Sequence, residues 1–292
     1  MIALLLAAAL AADPTPLAPE AAREDQAAPA AAPKLPTTTV SESHLWPDAR
    51  PVGPYGQPEW TDRRHFPGTR VYVAPPGATF EYWVENKTPF DGEDVRWRGL
   101  FELSFGLGHR LQLDLYLTTV QFAQQPLSLE SEKVELRYAL ADWGKLWGNP
   151  TLYLEWTRQT AGPMRGEVKL LLGGDLTERL YWGFNFFFER DLYGGAQSQE
   201  YGVNGGLSYS LLASKLSLGA EVQVELEDAK HHHGDPDSIE ILVGPSLAWR
   251  PVPSAHLLLV WFVGPAIERA SPGADRTAHS LMQPTLVAGW RF

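Results

Sequence analysis

Ser280-Leu-Met-Gln-Pro-Thr-Leu-Val-Ala-Gly-Trp-Arg-Phe292 is the stretch whose reading decides the fold. Met282, Pro284, Leu286, Ala288, Trp290 and Phe292 share one parity, and Gln283, Thr285, Gly289 and Arg291 occupy most of the other. Side chains alternate across a strand, so one face is apolar and the other small or polar. Pro284 is tolerated near a strand end or edge. The same alternation is clearest upstream in Leu216-Ser-Leu-Gly-Ala-Glu-Val-Gln-Val-Glu-Leu-Glu227 and in Arg110-Leu-Gln-Leu-Asp-Leu-Tyr-Leu-Thr118.

Working back through the chain, period-two runs cover residues 79–86, 98–107, 110–118, 134–140, 152–157, 167–172, 180–189, 201–210, 216–227, 239–250, 257–268 and 281–292. That amounts to about twelve strands, and helical spacing is nowhere sustained. The connectors near 108–109, 142–149, 173–178, 211–215 and 251–255 are mostly short. Those at 87–95, 124–133, 159–165, 191–198, 228–237 and 269–279 are longer and more polar. Short turns at one end and longer loops at the other predict an all-β fold: a single antiparallel transmembrane β-barrel over residues 69–292, with both termini on the short-turn side. Trp143, Trp147, Trp249, Trp290 and Phe292 fall at that end, with Tyr82 and Trp156 nearer the long loops, as two aromatic girdles would require.

The chain has 292 residues, a formal charge of −11 and no cysteine. The acidity excludes nucleic acid as a partner, because no basic stripe is present to meet phosphate. No run reaches the ~18 apolar residues of a spanning helix, a test that barrel strands escape. Residues 1–12, Met-Ile-Ala-Leu-Leu-Leu-Ala-Ala-Ala-Leu-Ala-Ala, have the apolar core and Ala-x-Ala spacing of a signal peptide, without a basic residue before the core. Residues 13–68 are rich in Ala and Pro and predict a disordered periplasmic arm. Its later part carries Trp46, Tyr55 and Trp60; a linker is the simpler reading, and docking in the barrel mouth is the alternative.

With the apolar parity on lipid, the other lines the lumen: Glu81, Asp114, Glu135, Arg137, Glu155, Glu167, Lys169, Glu221, Glu225 and Glu240 among others. Acids outnumber bases there, which favours cations and neutral solutes over anions. An interior of this size lies between barrels filled by side chains and wide porins, so a narrow channel and a plugged scaffold both fit. His231-His-His-Gly-Asp-Pro-Asp237 offers metal-ligand types, but three consecutive His cannot converge and a solvated loop is expected. His279-Ser280 sits at the height a barrel-embedded lipid hydrolase would need, yet adjacent residues face opposite sides and no Gly-x-Ser-x-Gly elbow exists. No catalytic residue, cofactor site or metal site is expected.

A terminal aromatic behind alternating apolar residues resembles the closing strand of bacterial outer-membrane barrels, which implies that Trp290 and Phe292 form the signal read by the barrel assembly machinery. Phe101-Glu-Leu-Ser-Phe-Gly-Leu-Gly-His-Arg-Leu-Gln-Leu-Asp114 resembles the MetA-type phenol-degradation family of presumed outer-membrane transporters. That resemblance implies the fold and a transport role over residues 79–292; it carries over no site residues, and the Pro-rich arm departs from it. The function expected is passive passage of a small solute through the outer membrane, with lipid around the barrel. The alternatives are a plugged scaffold and a lipid hydrolase.

Overall fold

A computed structural model describes residues 53–58, 65–90, 95–123, 125–193, 198–212, 215–228, 236–269 and 275–292. The signal-peptide expectation, most of the arm and the His231–His233 loop lie outside these residues.

The strands are β1 (Gly77–Pro89), β2 (Arg96–Gly108), β3 (Leu111–Phe122), β4 (Ser128–Ala139), β5 (Thr151–Gln159), β6 (Met164–Asp175), β7 (Leu180–Tyr193), β8 (Gln199–Leu212), β9 (Leu216–Asp228), β10 (Ser238–Val252), β11 (Ala255–Arg269) and β12 (Arg276–Arg291). Each pairs antiparallel with its sequence neighbours, and β12 closes onto β1, from Thr79↔Arg291 to Pro89↔Leu281. The result is a closed barrel of twelve strands, as the alternation predicts. Closure matters physically: no strand keeps an open row of N–H and C=O groups, which a lipid interior could not satisfy.

The strands outrun the sequence expectation at their long-loop ends. There the alternation is broken by charges, as at Lys87 and Arg96, but the ladder continues (Lys87↔Arg96). At the other end β2 turns into β3 over His109 and Arg110 alone, at φ 49° and 61°. Positive φ at both central residues is the geometry whose twist matches a tight hairpin.

The wall is inverted relative to a soluble protein. Leu103, Leu117, Leu154, Phe186, Val222, Val243, Trp261 and Leu286 are exposed on the outside, while Glu102, Gln112, Asp114, Glu135, Arg137 and Asn185 are buried. That is the arrangement a bilayer selects. The inward face departs from the polar expectation in one sector: Leu242, Val260, Phe262, Ala266 and Leu281 form an apolar cluster on β10, β11 and β12. Trp143 also departs from the girdle expectation. It turns inward and meets Tyr72 edge-on, with ring centroids 5.3 Å apart, whereas Trp147, Trp156, Trp249 and Trp290 stay exposed.

Candidate functional site

The long-loop end of the barrel opens into a vestibule of about 800 Å³. It is lined by six carboxylates (Glu130, Glu189, Glu200, Glu225, Glu227, Glu240) and five bases (Lys87, Arg96, Arg98, Lys133, Arg165), so the charge asymmetry lies in placement more than in number. The bases come from β1, β2, β4 and β6; β7 to β10 contribute five of the acids and, among the described residues, no base. Below it a narrower space of about 320 Å³ reaches Gly68, Arg70, Trp83 and Tyr116.

Sheet register explains how the acids are positioned. Asp114 on β3 pairs with Glu135 on β4, and the row continues through Glu155, Glu167, Glu189 and Glu200 to Glu227 on β9. Because barrel strands tilt, such a row climbs the wall, here from deep in the barrel to the vestibule rim. Like charges directly opposite are unfavourable unless compensated. Compensation comes from the adjacent rows: Arg137 meets Asp114 at 3.1 Å and also bonds Glu135, Lys133 lies 2.9 Å from Glu155, Lys169 2.9 Å from Glu167 and Arg165 2.7 Å from Glu189. Carboxylate oxygens of Glu155, Glu167 and Glu189 lie within 4.8 Å of one another, the one metal-ligand grouping among the described residues, but each carboxylate already has a base.

The other sequence-predicted residues divide in the same way. Glu225 and Glu240 lie in the vestibule, with Lys87 bridging to Glu240 at 2.7 Å across the interior. Glu81 is buried beside His256, 3.2 Å away. Glu221 is buried and, from its place on β9, serves a different structure, the floor.

That floor is residues 65–75, which sequence reasoning did not find. Part of this segment, 65–68, falls in the stretch expected to be disordered arm, yet His65, Phe66, Val71, Tyr72, Val73 and Ala74 are buried inside the barrel. The wall holds the segment by its backbone. Glu221 accepts the N–H groups of Gly68 (3.0 Å) and Thr69 (2.9 Å). Asn185 accepts the Arg70 N–H (2.9 Å) and donates to the Arg70 carbonyl (2.5 Å). Gln112 accepts the Ala74 N–H at 2.6 Å. Gly173, Gly183 and Gly206 stand side by side on β6, β7 and β8, and a Cβ on Gly183 or Gly206 would meet Thr69 at 2.9 Å or Phe66 at 2.7 Å. The row is a seat. Its signal in the sequence is glycine at inward positions where neighbouring strands carry large polar groups.

His65 is buried against Tyr181, stacked at 4.1 Å, with Nδ1 3.4 Å from the Ser208 hydroxyl. Burial, reinforced by the charge of Arg250, holds its imidazole well below the ordinary histidine range. The seated form therefore disfavours the proton that a released His65 would take up below about pH 6.5. Seating is unaffected above that pH and weakens below it, approaching about tenfold per pH unit until the seated imidazole itself titrates. Protease accessibility of residues 65–75 should rise between pH 7.5 and 5, and His65→Gln should flatten that dependence.

The His279-Ser280 pair of the hydrolase alternative is divided between the two faces of β12. Ser280 faces outward, and His279 points inward with Nε2 3.8 Å from Glu268.

No protein-family model and no curated protein matches the chain. Among solved structures it is similar to an outer membrane channel from Pseudomonas putida F1, at 11% identity and TM-score 0.50, covering 76% of this chain and 98% of that one. The KdgM porin in complex with disordered oligogalacturonate is also similar (11% identity, TM-score 0.49, 73% and 99% covered), as is the NanC porin (10%, 0.48, 71% and 98%). The fold is that of outer-membrane channel barrels.

Proposed function

We propose that this chain is an outer-membrane channel for passive passage of small solutes, with a net acidic lumen and lipid around its wall. The observation that carries the reading is the charged vestibule of about 800 Å³ inside a closed barrel whose exposed surface is apolar. Such a wall suits a bilayer, and such a cavity suits hydrated solutes. The local likeness of residues 101–114 to the MetA-type family supports a transport role, and the aromatic end of β12 supports assembly by the barrel machinery. Of the ten residues read as lumen-lining, Glu155, Glu167, Lys169, Glu225 and Glu240, which border the open space, would set charge preference directly, and Glu221 through the seat.

Conductance in a planar bilayer under a salt gradient tests the reading, with cation-selective openings expected that are brief at neutral pH and more frequent as pH falls. A unit charge a few ångströms from the ion path is worth about 1 kcal/mol in water. Reversing two vestibule acids, Glu200→Lys with Glu225→Lys, should therefore lower the cation-to-anion permeability ratio by about an order of magnitude. Unchanged reversal potentials in a folded variant would remove the lumen assignment. The floor favours one second reading, a barrel permanently plugged by residues 65–75. Silence at every pH and in every variant that unseats those residues would select it.

A further inference from the structure

The side chain of Arg70 does something the rest of the floor does not. Its neighbours in the segment carry no charge on the side chains they offer the wall, whereas Arg70 extends its guanidinium into a pocket made by β1, β2 and β3. Nη2 donates to the Tyr116 hydroxyl at 3.0 Å and lies 3.7 Å from Glu102. The guanidinium carbon sits 5.4 Å from the Trp83 ring centroid and 6.0 Å from that of Tyr116. Glu102 is fully buried and accepts the Ser104 hydroxyl at 2.9 Å; the Tyr116 hydroxyl donates in turn to Glu135. Two aromatic faces with a buried carboxylate behind them are the chemistry that recognises an organic cation.

The occupant is not part of the wall. Arg70 arrives on the inward segment, clamped by Asn185 on the opposite side of the barrel. The narrower space of about 320 Å³ borders both Arg70 and Trp83 and shares Lys87, Arg98 and Glu225 with the vestibule above. A solute entering from outside thus reaches this pocket after passing the acidic wall of β7 to β10. If the segment leaves its seat, Glu102 loses the Arg70 guanidinium, and taking one partner from a buried ion pair is costly.

We propose that this pocket is a binding site for a guanidinium- or ammonium-bearing solute, and that Arg70 is the chain's own stand-in for that solute. The inference rests on the channel reading for its route but not for its binding test. A solute cation competes with Arg70, and its binding favours release of the floor.

The probe is propylguanidinium, with propylurea as its neutral counterpart, titrated calorimetrically into the full chain in detergent. Wild type should bind propylguanidinium saturably and propylurea not at all. Arg70→Ala, which removes an intramolecular competitor of roughly millimolar effective concentration, should bind propylguanidinium about tenfold more tightly or better. Glu102→Gln should abolish binding in either background. Arg70→Lys, which keeps the charge but loses the planar fork, should fall between wild type and Arg70→Ala and serves if the alanine variant does not fold. No saturable binding to wild type, or equal binding of propylurea, overturns the site. Bilayer recordings separate the two readings. Conduction without propylguanidinium binding overturns this inference alone; binding to a barrel silent in every variant overturns the channel and leaves the site standing.

Discussion

A chain carrying Gly183→Leu should fold into the same barrel and conduct steadily where the parent opens only briefly. Gly183 sits at the centre of the seat, between Gly173 and Gly206. A Cβ there already approaches Thr69 at 2.9 Å, Val71 at 3.0 Å and Phe66 at 3.3 Å. A leucine adds further atoms in the same direction. Overpacking of this kind costs about 1–3 kcal/mol even where neighbours adjust, and the atoms in the way are side chains of the inner segment. That segment is held by separate side-chain hydrogen bonds and apolar contacts, the wall by a closed backbone ladder, so the strain is relieved by displacing the segment. The converse experiment closes the channel. A Cβ on Gly173 lies 3.2 Å from the Val71 Cβ and 2.8 Å from the Trp182 carbonyl oxygen, so a small outward shift of that side chain brings the pair to the ~3.5–4.5 Å a disulfide needs, and the chain has no cysteine to interfere. Val71→Cys with Gly173→Cys should be silent when oxidised at any pH, and should regain acid-dependent openings on reduction. Equal conductance in both redox states, with the cross-link verified, would show that seating of residues 65–75 does not control conduction.

How far this arrangement was legible in the sequence follows from what kind of order each part has. The wall is periodic, and periodicity survives in a string. Leu216 to Glu227 alternates with few breaks, and β9 spans nearly those residues. Register was not legible. The row from Asp114 to Glu227 depends on how far each strand slides against the next, which hairpin geometry sets and alternation does not encode. The floor was invisible for a different reason. Val71-Tyr72-Val73-Ala74 has no alternation, because it is surrounded on every side rather than divided between lipid and lumen. Nothing in four apolar residues behind a Pro-rich stretch says that they lie inside a barrel. The glycines of β6, β7 and β8 were readable one by one, but only pairing shows them to be adjacent. The apolar inward sector of β10 to β12 was missed likewise: Leu242, Leu258 and Val260 alternate with other apolar residues, so parity alone cannot tell which set faces out.

The largest loss of stability should come from Arg137→Leu. Arg137, Asp114 and Glu135 are all fully buried, and the guanidinium meets both carboxylates. Removing one partner of a buried ion cluster typically costs about 3–5 kcal/mol, because the charges left behind have neither water nor a counterion. Here two acids would be left, directly opposite each other on β3 and β4. The variant should lose the compact, heat-modifiable form of a folded barrel on a denaturing gel, or show it only at much lower urea. Replacing the acids as well, Arg137→Leu with Asp114→Leu and Glu135→Leu, should recover much of the loss, since an apolar cluster needs no compensation. If Arg137→Leu alone refolds like the parent, the acidic row is not held by its bases and the electrostatic account of the wall fails. The triple variant then separates stability from gating. Arg137 also donates to the Tyr72 carbonyl at 3.4 Å, and Tyr72 donates its hydroxyl to the Ala141 carbonyl at 2.7 Å. A barrel restored without Arg137 keeps the glycine seat and Glu221 but loses one of the bonds that hold the floor. It should therefore recover much of the parent's stability toward urea and still open more often, because the buried cluster that steadies the wall also holds the segment inside it.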